Sequence, residues 1–328
     1  MRHRLEDTML ASRNFALIVV VAAVGLGSIL AAPATAQTSD EVPRTAWGAP
    51  DLGGVWDYRS VTPLERPEQF ADKAVLTEEE AAAVERERAE WVERIDAAEN
   101  PSIPGNDIHT RVFLDFGTET VADRRSSLII DPPNGRRPPM TPEGERRPRN
   151  AGSFGNHPLE SIEDFSLSDR CMAALGVPLN PLPYNSYVQL FQTEDHLVML
   201  VEMMHTTRFI PIVDRPHGTI RQRRGESRGH WEGDTLVVET TNFEHSVAGA
   251  SRDAVLTERF RRASPEILEY EYTIDDPATW TASWTALQTL RKHPQPIFEY
   301  ACHEGNYGLT NMLQFARHAE ETGTPPGR

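Results

Sequence analysis

The sequence predicts a mainly β fold: an antiparallel sheet closed into a barrel or folded into a sandwich, with one N-terminal surface helix and a short C-terminal helix. Three observations predict it. From residue 256 onward the chain alternates with period two. Leu256, Glu258 and Phe260 share one face, as do Leu268, Tyr270, Tyr272 and Ile274, and then Trp280, Ala282, Trp284 and Ala286. Turn residues, Ser264-Pro265 and Asp275-Asp276-Pro277, separate these runs. A strong helical pattern is confined to residues 76–99.

The elements follow in chain order. Arg2, Arg4 and Arg13 flank the uncharged run FALIVVVAAVGLGSILA, and Ala34-Thr35-Ala36 has the small-x-small spelling of a signal-peptidase site. Residues 1–36 are therefore expected to be a signal peptide. The remainder is expected as one continuous unit, with 37–125 carrying the first strand and surface helix and 126–328 the antiparallel domain. Leu52-Gly53-Gly54-Val55-Trp56 reads as a short first strand. The helix opens with Thr77 and Glu80, the spelling of a capping box, and Asn100-Pro101 stops it. Its apolar positions are sparse (Val84, Trp91, Ile95), which places it on a surface.

Residues 101–165 are rich in Pro, Gly and Arg. Ser127-Leu128-Ile129-Ile130 reads as a strand entering the turn Asp131-Pro132-Pro133-Asn134-Gly135. Arg136, Arg137, Arg146, Arg147 and Arg149 are read as a solvated loop and not as a nucleic-acid patch. Beyond residue 186 the pattern is β. Residues 196–203 and 207–213 pair, and 226–231 and 235–243 flank the hairpin turn Glu232-Gly233-Asp234. Roughly eight such strands must hide their edges, which closure achieves, and a barrel is favoured. Residues 306–318 would be a closing helix.

Charge and cysteines narrow the setting. The chain carries 33 Lys+Arg against 49 Asp+Glu, a net charge of −16. That excludes nucleic acid and anionic membrane as natural partners. No second long apolar run exists, so a soluble periplasmic or secreted protein is expected, with its oligomeric state left open. Cys171 and Cys302 are the two cysteines. In an oxidising compartment such a pair is read as a disulfide, in preference to two buried thiols.

Several blocks resemble a large family of exported bacterial proteins. They are Gly48-Ala49-Pro50-Asp51-Leu52-Gly53-Gly54-Val55-Trp56, Asp131-Pro132-Pro133-Asn134-Gly135, Arg170-Cys171 with Gly176-Val177-Pro178, the run from Gly229 through Trp231-Glu232-Gly233-Asp234 to Phe243, and Glu299-Tyr300-Ala301-Cys302-His303-Glu304-Gly305-Asn306-Tyr307. The resemblance spans nearly the whole chain after the leader. It implies one continuous unit to which both cysteines belong, and carries no activity. Gly54-Val55-Trp56 also resembles the opening Gly-x-Trp of lipocalins. That resemblance implies a lipocalin-like barrel and a late arginine over the tryptophan, for which Arg317 is the candidate.

Candidate chemistry gathers at Glu202-Met203-Met204-His205-Thr206-Thr207-Arg208. A tight connection there would project Glu202 and Arg208 to one side, with His205 beside them as acid or base. The alternative is a cross-strand ion pair with a rim histidine. Cys302-His303 cannot act as a nucleophile pair, since neighbours on a strand face opposite ways. Gly225-Glu226-Ser227-Arg228-Gly229 spells a nucleophile elbow but precedes a strand, which rules it out. No histidines stand at zinc-motif spacing, so neither metal nor cofactor is expected. Two function classes remain. One is a binding module holding a small apolar or amphipathic molecule against Tyr270, Tyr272, Trp280 and Trp284, although these could equally fill a packed core. The other is a cofactor-independent isomerase, lyase or hydrolase using Glu202, His205 and Arg208.

Overall fold

The period-two runs fold as expected. The computed structural model describes residues 41–97, 115, 117–147, 161–165, 169–172, 177–182 and 184–323. The leader, Asn100-Pro101, Arg149 and Gly176 lie outside the described residues. Ten strands are present among them: β1 (Gly54–Asp57), β2 (Ile129–Asp131), β3 (Tyr187–Gln192), β4 (His196–Val201), β5 (Thr206–Pro211), β6 (Glu226–Glu232), β7 (Thr235–Thr241), β8 (Val255–Ser264), β9 (Ile267–Asp275) and β10 (Trp284–His293). Three α-helices accompany them: α1 (Glu78–Ala97), α2 (Pro142–Arg146) and α3 (Tyr307–Thr322). Residues 41–328 form one unit.

All ten strands belong to one antiparallel sheet in the order β5-β4-β3-β1-β10-β9-β8-β7-β6, with β2 pairing β10 beside this path. Its apolar face makes the core. On β9, Leu268, Tyr270, Tyr272 and Ile274 are buried while Glu269, Glu271 and Thr273 are half-buried on the other face. The strands β5 and β6, at opposite ends of the order, meet at a single parallel bridge between Ile212 and Gly229, where the Val213 N–H donates to the Gly229 carbonyl at 3.0 Å. No ladder joins them. The sheet curls round on itself and is not closed.

Local chemistry explains the joints. The Gly233-Asp234 turn between β6 and β7 places Gly233 at φ 59°, a left-handed conformation that glycine adopts without strain. Gly225 enters β6 at φ 71°, and a Cβ there would lie 2.6 Å from both Thr240 Cγ2 and the Thr241 carbonyl, so only glycine fits. The capping box of α1 forms: the Glu80 N–H donates to Thr77 Oγ1 at 3.2 Å and the Thr77 N–H to Glu80 Oε2 at 3.0 Å. The helix lies on the surface, with Ala81 buried and Val84 and Trp91 half-buried.

Three expectations are corrected. Trp280 and Ala282 precede β10 instead of opening it, because buried Asp276 accepts hydrogen bonds from Ser251 and Thr279 and holds the chain in a turn. The α3 helix buries none of its residues, so it closes nothing. Arg317 is exposed on α3, and the arginine over Trp56 is Arg262 of β8, its guanidinium 4.6 Å from the ring centroid. Cys171 and Cys302 form a disulfide, Cα atoms 5.7 Å apart, which ties the segment before α3 to the body of the protein.

Candidate functional site

On β5 the buried positions are Thr206, Arg208 and Ile210, so the alternation that turns Phe209 outward carries Arg208 into the core. A buried guanidinium needs a carboxylate and hydrogen bonds for its remaining N–H groups. Arg208 finds both across the seam between β5 and β6. Nη1 and Nη2 engage the two carboxylate oxygens of Glu258 on β8, Nε donates to Ser227 Oγ on β6 at 3.0 Å, and Nη2 donates to Thr240 Oγ1 on β7 at 2.6 Å. The Tyr270 hydroxyl donates to Glu258 at 2.8 Å and accepts from the Leu179 N–H at 3.1 Å. Burial alone would lower the Arg208 pKa, but Glu258 outweighs it and holds the value above the ordinary one. Burial, then the Glu258 charge, push the Tyr270 phenol well above its usual value.

Glu202 and His205 go elsewhere. The connection between β4 and β5 is tight, as expected, with Met204 and His205 at φ 59° and 44°. It does not, however, bring Glu202 to Arg208. Glu202 is buried and accepts from Asn185 Nδ2. His205 Nε2 lies 3.0 Å from both the Phe298 carbonyl and the Tyr300 N–H, on the exposed segment leading to the disulfide. The expected Glu202–Arg208 pair is therefore an Arg208–Glu258 pair. Turn geometry explains the difference: Glu202 has left the strand for a helical conformation, so it no longer follows the β4 alternation.

The four expected aromatics form a row in the core with a fifth, Phe260. Ring centroids lie 5.0 Å apart for Phe260–Tyr270, 5.7 Å for Tyr270–Tyr272, 5.8 Å for Tyr272–Trp284 and 5.6 Å for Trp280–Trp284. Tyr270, Tyr272 and Trp280 are interior packing. Trp284, between Tyr272 and Trp280 in the row, borders a cavity of about 550 Å³, whose apolar lining includes Val61, Leu64, Leu128 and Leu182 and whose polar lining includes Thr62, Arg88 and Asn180. The Trp284 indole N–H is enclosed and has no acceptor. Asn180 accepts from the Tyr272 hydroxyl at 2.7 Å, and its amide NH2 donates to no group among the described residues. This wall is fixed from behind, since Leu179 is held by Tyr270 and by Gln288.

Sequence reasoning missed Glu258, Ser227 and Thr240 as partners of Arg208, and missed Asn180 and the residue 61–64 segment as cavity wall. A signal existed for Glu258, a carboxylate between Leu256 and Phe260 on an apolar face. No pattern marks the loop residues. Among the described residues, no group of three His, Cys, Asp or Glu is placed to hold a metal, and no helix is long and apolar enough to cross a membrane.

No protein-family model matches the chain. No curated protein matches it either. Among solved structures, a secretary abundant heat soluble (SAHS) protein from Ramazzottius varieornatus is similar over 39% of this chain and 86% of its own, at 17% sequence identity and a TM-score of 0.25.

Proposed function

We propose that this is an exported protein that binds a small amphipathic molecule: an apolar body in the cavity beside Trp284, with a hydrogen-bond acceptor such as a carbonyl or hydroxyl oxygen meeting the Asn180 amide donor. The observation that carries this reading is the apolar-walled cavity itself, with Asn180 on its lining and the Asn180 NH2 donating to no group among the described residues. A hydrogen bond from this amide to a ligand oxygen contributes roughly 0.5–1.5 kcal/mol. The cavity volume of about 550 Å³ suits a small molecule, and the apolar lining suits a hydrocarbon body. The leader and the acidic surface support action outside the cytoplasm, away from nucleic acid.

The experiment is displacement of a fluorescent hydrophobic dye by three matched probes: a medium-chain ketone, the corresponding alcohol and the alkane. Asn180→Asp keeps the shape and the acceptor for the Tyr272 hydroxyl and removes the NH2 donor. It should weaken the ketone by about tenfold, the worth of one hydrogen bond, and leave the alkane unchanged. Leu182→Trp, which fills the cavity, should abolish binding of all three. If no probe binds the wild type, or if Leu182→Trp binds them as well as wild type does, the cavity is not the ligand site.

A further inference from the structure

A second hollow, of about 380 Å³, lies at the open seam between β5 and β6. It differs in chemistry from the Trp284 cavity. Arg208, Arg223, Arg224 and Arg228 all line it, together with the outward-facing Phe209, in a protein whose net charge is −16. The four cations are not equally answered. Arg208 is satisfied by Glu258, Ser227 and Thr240, so it contributes field and no free donor. Arg228 is answered by Glu226 and by the Ser227 carbonyl, and its Nε is enclosed, so it too contributes field and no free donor. Arg223 has Glu244 only at 3.9 Å.

Arg224 is the least answered. It donates from Nη1 to the Thr207 carbonyl and from Nη2 to Thr206 Oγ1, each at 3.0 Å, and makes no ion pair among the described residues. Its other N–H donors are left without partners there. These two bonds fix the plane of the guanidinium against β5, so the remaining donors are held in place before any ligand arrives. Burial, then the charges of Arg208 and Arg223, lower its pKa, the response of a cation that lacks a counter-charge. Glu226 also lines the hollow, but its carboxylate is used by Arg228, the Gly218 N–H at 2.6 Å and Asn242 Nδ2 at 3.3 Å.

We infer that this seam hollow is an oxyanion site: Arg224 and Arg223 take a compact tetrahedral dianion of the phosphate class, either the free ion or the phosphate group of a small ester. Fixed guanidinium N–H groups suit such oxygens in geometry as well as charge. The site is independent of the Trp284 cavity and goes beyond the binding function proposed for it. Because the surrounding surface is acidic, it selects at short range and does not steer anions from a distance.

The test is calorimetric titration of the disulfide-intact protein with inorganic phosphate and, separately, with glycerol 3-phosphate, at constant ionic strength with chloride as the balancing anion. Wild type should bind at least one of the two saturably. Arg224→Met should weaken that binding by about tenfold or more, and so should Arg223→Gln, whose side chain is exposed and supports no part of the fold. Circular dichroism confirms that each variant is folded, and Arg224→Lys, which keeps charge but not the fork, should recover only part of the affinity. Which probe binds separates a free-ion site from an ester site. Failure of both probes to bind above the chloride background overturns the inference, as does equal binding by wild type, Arg224→Met and Arg223→Gln. The two hollows share no lining residue, so dye displacement at the Trp284 cavity should be unchanged by phosphate and each reading fails separately from the other.

Discussion

Replacing Glu258 by Ala removes the counter-charge of Arg208 and leaves the guanidinium where it is. Glu258 has no exposed surface and Arg208 is 5% exposed, so water cannot take the place of the carboxylate. Arg208 keeps only Ser227, Thr240 and the Met199 sulfur, at 3.8 Å, as partners, and the Tyr270 hydroxyl loses its acceptor. Breaking a buried pair from one side costs about 3–5 kcal/mol. At this chain length that corresponds to about 6–10 °C of melting temperature. Glu258→Gln keeps the volume and one acceptor oxygen and should cost less, about 1.5–3 kcal/mol for the weakened bonds to a charged group. The double variant Arg208→Met/Glu258→Leu removes both charges and should return to within about 2 kcal/mol of wild type, because two desolvated ions are replaced by packed apolar groups. The assay is reversible urea unfolding of the oxidised protein followed by circular dichroism, arranged as a double-mutant cycle. A cost below about 1 kcal/mol for Glu258→Ala, or a double variant that simply adds the two single costs, would refute the reasoning.

Further outcomes follow from the same geometry. Cys171→Ser should lower stability by up to about 5 kcal/mol, the chain-entropy value for so long a loop, and thiol alkylation of unreduced wild type should label neither cysteine. N-terminal sequencing of protein recovered from the periplasm should begin at Gln37, and full-length protein in the membrane fraction would count against the leader. Asp276 is buried, which by itself would raise its pKa, but the hydrogen bonds from Ser251, Thr279 and Ala278 win and lower it below 3.8. A lowered folded-state value stabilises above the unfolded pKa, and that stabilisation is lost as pH falls through the folded one. The stability gap between wild type and Asp276→Asn should therefore be constant near neutral pH and narrow on acidification below about pH 4. A gap that widens in acid would be inconsistent with this assignment.

The strands were legible because their signal is local. Leu268, Tyr270, Tyr272 and Ile274 alternate with polar residues, and β6 to β10 pair largely with their sequence neighbours, so pattern and topology coincide. Pairings between distant segments were not. Arg208 and Glu258 are 50 residues apart, and the alternation of β5 shows that Arg208 faces inward without showing what it meets. Glu202 looked like its partner because it is near in sequence, but the turn that makes the connection tight also rotates Glu202 away. Arg317 looked like the arginine over Trp56 because it is late in the chain; Arg262 has that place, with its Nη1 donating to the Asp51 carbonyl just ahead of β1. The Trp284 cavity draws its walls from residues near 62, 180 and 248. Those segments have no periodicity, so only the folded chain assembles them.

The position of β1 has a consequence for how the molecule comes together. The strands β3 to β5 form one ribbon wired by short turns, and β6 to β10 form another. A four-residue strand, Gly54–Asp57, is the splice between them, pairing β3 on one side and β10 on the other. It is made before every other strand, yet its partner in β10, His293, is made after all of them. Until then each ribbon carries a bare edge and the splice strand has nowhere to dock, a high-contact-order arrangement that folds slowly. A chain lacking residues 41–60 would keep both ribbons but expose two unpaired edges where the splice had been, and strand edges of that kind seek one another in other molecules. The shortest strands of such a sheet can thus decide whether it assembles within one chain or between many.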